Sequence, residues 1–137
     1  MTTKIFVNLS VKNLQASMEF FGKLGFQFNE KFTNENAACL VISENIYAML
    51  LTESFFQTFT TKEIADTTKT IEVINALSLE SREAVDELME KVIAASGTEA
   101  RESQDLGFMY TRSFEDPDGH TWELFYMDEK AAAEETK

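Results

Sequence analysis

The stretch LSVKNLQASMEFFGKL at residues 9–24 returns as LSLESREAVDELMEKV at residues 77–92. Leu9, Ser10, Ala16, Glu19 and Lys23 reappear as Leu77, Ser78, Ala84, Glu87 and Lys91, a constant offset of 68 residues, while Phe20 and Phe21 are matched by Leu88 and Met89. Identity and conservative exchange at one fixed offset point to a duplicated unit. Outward from this stretch, both copies carry the same signals. Ile5, Val7, Leu9 and Val11 alternate with Phe6, Asn8 and Ser10, the period of a strand. Asn13 then caps a helix whose buried stripe is Leu14, Met18, Phe21 and Leu24, and Gly25 suits its left-handed end. In the second copy Ser81 caps, Val85, Leu88, Met89 and Val92 form the stripe, and Gly97 lies just beyond.

Three strands are predicted after the first helix, around Phe26 to Phe32, Ala37 to Ile42 and Ile46 to Leu51. After the second come a weak polar strand near Thr98 to Ser103 and stronger ones at Gly107 to Phe114 and His120 to Met127. The last two are joined by Asp116-Pro117-Asp118-Gly119, where Pro117 presets a turn and Gly119 tolerates positive φ. Each copy therefore reads βαβββ, an α+β chain. The expected divisions are residues 1–53 for the first module, 54–70 for a connection, 71–127 for the second module and 128–137 for a polar tail, all in one domain. Phe55, Phe56 and Phe59 in the connection have near-helical spacing, so a short amphipathic helix is expected, serving as core, dimer interface, cleft lid or partner site.

Composition narrows the partners. The chain is 44% hydrophobic and 12% aromatic, enough to fold unaided, and its 24 acidic against 12 basic residues give a net charge of −12. That field repels phosphate backbones and anionic headgroups, so neither nucleic acid nor a membrane is expected as partner. Cys39 is the one cysteine and cannot close an internal disulfide. With no signal-like start and no run of membrane-spanning length, a cytoplasmic protein is expected.

Val11-Lys12-Asn13-Leu14 opening the first helix, and Asp116-Pro117-Asp118-Gly119-His120-Thr121-Trp122-Glu123-Leu124 near the end, resemble the vicinal oxygen chelate superfamily. That group contains glyoxalase I, extradiol dioxygenases, methylmalonyl-CoA epimerase and the bleomycin-resistance proteins. The resemblance covers roughly residues 4 to 127 and implies paired modules forming an open, curved, mixed sheet around a cleft. It also implies a divalent-ion site built from the first and fourth strands of each module, at Phe6, Met49, Ile74 and Glu123. Only Glu123 can ligate a hard cation; Phe and Ile have no lone pair and Met offers a soft thioether. A register slip does not restore the set, because it turns each side chain to the other face. No metal or other cofactor is therefore expected.

Residues sharing parity with those positions predict a mostly apolar cleft lining of Phe6, Asn8, Ser10, Met49, Leu51, Ile74, Ala76, Glu123 and Phe125, with Tyr110 and Arg112 as further candidates. Glu123 is the candidate catalytic base or ligand anchor, since a carboxylate among apolar neighbours could take a proton or hold a ligand cation. His120 has the wrong parity to join it, Trp122 is expected under the helices, and Cys39 reads as inert core. The leading expectation is a homodimeric, metal-independent binder of a small apolar or amphipathic molecule. The alternatives are a lyase or isomerase using Glu123 as base or as the remaining metal ligand, and a regulatory or interaction module.

Overall fold

The computed structural model describes residues 2–131, which fall into two compact units that divide between Asp66 and Thr67. The first unit runs β1 (Ile5–Val11), α1 (Leu14–Lys23), β2 (Gln27–Phe28), β3 (Ala37–Ser43), β4 (Ile46–Thr52) and α2 (Glu53–Phe56). The second runs β5 (Ile74–Ser78), α3 (Arg82–Ala94), β6 (Thr98–Asp105), β7 (Met109–Glu115) and β8 (Thr121–Met127). Each holds a four-stranded mixed sheet, ordered β1-β4-β3-β2 in one and β5-β8-β7-β6 in the other, with the first and last strands parallel. The βαβββ reading and the α+β class both stand.

The duplication extends to the register. In the first unit Phe6 pairs with Tyr47 and Asn8 with Met49; in the second, Ile74 pairs with Thr121 and Ala76 with Glu123. A constant step thus carries β1 onto β5 and another carries β4 onto β8 without a slip. In both units the helix covers one side of the sheet. Ala48 and Leu50 lie buried with Phe20 and Phe21 in the first, and Trp122, Leu124 and Phe114 with Val85, Met89 and Val92 in the second. The opposite side of each sheet is called the open side below.

The helix starts are those expected. The Asn13 Oδ1 accepts from the Ala16 amide at 3.0 Å and the Ser81 Oγ from the Ala84 amide at 3.0 Å, satisfying donors the first turn leaves free. Gly25 ends the first helix at φ 100°, but after the second the left-handed residue is Ser96, at φ 69°, and not Gly97. The strand expected from Phe26 to Phe32 is only Gln27–Phe28. Asn29 then accepts from the Lys31 amide and starts a 3₁₀ turn, Glu30–Phe32, so side-chain capping competes successfully with the sheet ladder. The polar strand after α3 is longer than expected, Thr98–Asp105.

Phe55 and Phe59 do form a short helix and a following 3₁₀ turn, their rings edge to face at 5.2 Å, and Phe59 is 69% exposed. Of the polar tail, Asp128 accepts from the Lys130 and Ala131 amides; residues 132–137 lie outside those described. No helix among the described residues is long and apolar enough to cross a membrane.

The Asp116–Gly119 turn is more than a connection. Asp116 is buried; its Oδ1 accepts from the Asp118 and His120 amides, and its Oδ2 from Trp122 Nε1 at 3.1 Å. Burial pushes the Asp116 carboxyl up, against the opposing pull of those donors. Gly119 has φ 82°, and a Cβ there would stand 2.6 Å from the Thr67 carbonyl oxygen, so only glycine fits. Asp116→Asn would turn an amide NH₂ toward the indole N–H and leave a buried donor unmet. It should lower stability by about 1–3 kcal/mol, measured by urea denaturation, with a shifted Trp122 emission reporting the local change.

Candidate functional site

Alternation along β7 and β8 decides which side chains share a side of the second sheet. Glu123 pairs with Ser113 and Ala76, and Phe125 with Thr111 and Ser78. These residues, with Ile74 and Thr121, occupy the open side. Arg112 pairs with Leu124 and Tyr110 with Tyr126, which puts both under α3. The expectation that Tyr110 and Arg112 line a surface with Glu123 is therefore corrected: they are one residue out of phase with it.

On the helix side these two residues serve a charge network. The Tyr110 hydroxyl donates to Asp86 at 2.7 Å; Arg112 donates from Nη1 to Asp86 at 3.0 Å, and from Nε and Nη2 to the two oxygens of Glu99 at 3.0 and 3.1 Å. The hydrogen bond from Tyr110, then Arg112, hold the Asp86 carboxyl below the usual range; the same bond pushes the Tyr110 phenol up, and that to Glu99 pushes the Arg112 guanidinium up. Nearby, Arg82 forks onto Asp105, lies 5.4 Å over the Tyr110 ring and also donates to the Gly107 carbonyl.

Glu123 has a partner that strand alternation alone would not find. Arg101 Nη2 donates to its Oε2 at 3.1 Å. Along β6, Glu99 pairs with Phe114 but Arg101 pairs with Ser113, so two residues on β6 face one on β7. This bulge inserts Ala100 and carries Arg101 to the open side, whereas Glu99 stays under the helix. A row of three side chains then crosses the sheet, Arg101, Ser113 and Glu123. In the next row stand Gln104, Thr111 and Phe125. Ser113 and Thr111 are each 2% exposed, and neither hydroxyl has a hydrogen-bond partner. Unmet buried hydroxyls are uncommon in folded proteins. Arg101 also borders a cavity of about 600 Å³ along β6, lined in addition by Glu102 and Ser103 and, from the helix side, by Glu99 and Arg112.

The first unit's open side is apolar. Phe6 stacks on Tyr47 with centroids 4.6 Å apart, Asn8 donates back to the Phe6 carbonyl, and Met49 is half-buried. Leu51, expected to line a cleft, is instead core: it pairs with Ala37, and both are buried with Cys39, whose thiol is pushed up by burial. Trp122 is under α3 as expected. Of the positions the resemblance assigns to a divalent ion, each unit thus supplies two: Phe6 and Met49, and Ile74 and Glu123. Such a set does not fit a hard cation, because its single carboxylate already holds a guanidinium. Among the described residues no three His, Cys, Asp or Glu side chains converge.

The family model of the glyoxalase/bleomycin resistance protein/dioxygenase superfamily matches residues 5–124. The chain belongs to that superfamily. Its fold is similar to a hypothetical protein from S. aureus, with 27% identity, a TM-score of 0.77 and coverage of 92% of this chain and 94% of the other. A glyoxalase-related enzyme from Fulvimarina pelagi has 20% identity, a TM-score of 0.78 and coverage of 92% and 88%. A genomically encoded fosfomycin resistance protein from Listeria monocytogenes has 18% identity, a TM-score of 0.66 and coverage of 92% and 91%. The last two share the superfamily fold. No curated protein sequence matches the chain.

The helix-side network makes a pH prediction. Asp86 is depressed in the folded protein, so its contribution is full above the unfolded carboxylate pKa of about 4 and is lost as pH falls through the lower folded value. Tyr110 is raised, so its contribution is full below the unfolded phenol pKa of about 10 and is lost as pH rises through the higher folded value. Tyr110→Phe should cost about 1 kcal/mol at neutral pH, modest because Asp86 is half exposed. The difference from wild type in thermal unfolding should shrink at both pH extremes.

Proposed function

We propose that this superfamily member binds a small apolar or amphipathic molecule without a metal, on the open side of its second sheet, with Glu123 as the polar anchor. What carries the reading is the row Arg101, Ser113 and Glu123 beside apolar Ile74, Ala76 and Phe125, with two buried hydroxyls in want of partners. A mostly apolar surface with a few convergent polar groups is how proteins hold small ligands. Ile74 is 54% exposed, so the apolar floor is accessible.

Metal independence rests on the donor chemistry. Phe6, Met49 and Ile74 offer no hard ligand, and a cation at Glu123 would compete with the Arg101 guanidinium already there.

A second reading follows from the other carboxylate oxygen. Glu123 receives Arg101 on Oε2 alone, leaving Oε1 able to take a proton from a carbon acid, as a lyase or isomerase would require. Superfamily membership accommodates both readings, since the fold hosts unrelated chemistries.

A thermal-shift screen of aromatic, cationic and amphipathic small molecules tests the binding reading. A ligand at about 100 times its Kd should stabilise the wild type by about 2.7 kcal/mol, and Glu123→Gln should reduce that shift. Silence across the screen counts against binding. Calorimetric titration with zinc and manganese should show no stoichiometric site; one equivalent bound tightly and lost in Glu123→Gln overturns metal independence. Turnover of a bound molecule that stops in Glu123→Gln would favour the second reading.

A further inference from the structure

We infer that the ligand is a small amphipathic zwitterion, its cationic nitrogen on Glu123 and its anionic group on Arg101; this rests on the binding reading above and names the class of molecule bound. The pair is half-engaged. Arg101 uses one nitrogen, Nη2, and Glu123 one oxygen, Oε2, so the guanidinium keeps free donors and the carboxylate a free acceptor. Between them in the same row lies Ser113, whose buried hydroxyl can donate or accept and does neither. Thr111, one row on, is in the same state and stands next to Phe125.

The alternatives are electrostatically poorer. A purely cationic ligand on Glu123 would be repelled by Arg101 or have to displace it, leaving the guanidinium without its acid. A purely anionic ligand on Arg101 would face Glu123, whose side chain is only 18% exposed and poorly screened, within a chain of net charge −12. A molecule bearing both charges a few bonds apart extends the existing alternation: its anion meets the free guanidinium donors, its ammonium the free carboxylate oxygen. An apolar body then lies on Ile74, Ala76 and Phe125, small at the centre where Ala76 pairs with Glu123. Arg101, on an exposed edge strand, becomes the residue that sets specificity.

Three molecules with one aromatic body separate the possibilities: L-phenylalanine, 2-phenylethylamine, which lacks the carboxylate, and 3-phenylpropanoate, which lacks the ammonium. Calorimetry on the full chain should give L-phenylalanine an affinity about tenfold or more above either analogue, because it alone makes both charge-assisted contacts. Arg101→Gln should bring L-phenylalanine down to the level of 2-phenylethylamine without weakening the amine. Glu123→Gln should bring it down to the level of 3-phenylpropanoate. Equal or tighter binding of either analogue to the wild type overturns the zwitterion and leaves small-molecule binding standing. So does failure of all three while other molecules in the broader screen stabilise the protein. If that screen is silent too, the binding reading falls with it. Circular dichroism of both variants verifies that the fold is kept.

Discussion

The Arg112 guanidinium is the charge around which the second unit is arranged. Its side chain is only 19% exposed, on the helix side of β7, and a cation so placed must be met by acids or it destabilises the fold. Asp86 from α3 and Glu99 from β6 meet it, so one side chain ties helix, central strand and edge strand together. With Glu99 held under the helix, the inserted residue Ala100 sends Arg101 to the other side, toward Glu123. The chemistry on the open side is thus a consequence of an ion pair on the closed one. Arg82 on Asp105 pins the far end of the same strand.

The two units keep one backbone plan with opposite use of it. Pairing of Phe6 with Tyr47, and of Ile74 with Thr121, shows that the repeat preserved register while its side chains diverged. In the first unit aromatic stacking and the burial of Leu51, Ala37 and Cys39 turn much of the open side into structure. The second retains a carboxylate and surrounds it with groups that can bond. The positive charge beside Glu123 is the Arg101 guanidinium. It is tethered and directional, and it bonds one carboxylate oxygen and not the other.

What strand and helix periodicity could reveal is clear from particular residues. The caps at Asn13 and Ser81 and the side occupied by Trp122 follow from spacing within one element, and the repeat and the shared register of Phe6 and Ile74 from one fixed offset between two copies. Arg101 was illegible for the opposite reason. Thr98 to Asp105 is polar throughout, so it has no alternation from which to read a side, and a bulge reverses parity without a marker in composition. Tyr110 and Arg112, added to the expected lining, are one residue out of phase with it. Asp86 on α3 and Glu99 on β6, which only tertiary packing brings together, made the helix side the better place for them. Leu51 failed similarly: parity assigns a side, not exposure.

The edge strands explain why only one unit offers a charged row. A free edge invites pairing with another chain, and a fold must blunt it. The first unit does so by shortness, with β2 reduced to Gln27–Phe28 and followed by a capped turn. The second has a long edge strand, protected by two register breaks and by the charges of Glu99, Arg101, Glu102 and Asp105. A bulge moves a charged side chain out of the ladder's alternation, and an edge position keeps its guanidinium solvated. Straightening β6 would therefore do two things at once: it would make a better template for unwanted strand pairing, and it would turn Arg101 away from Glu123.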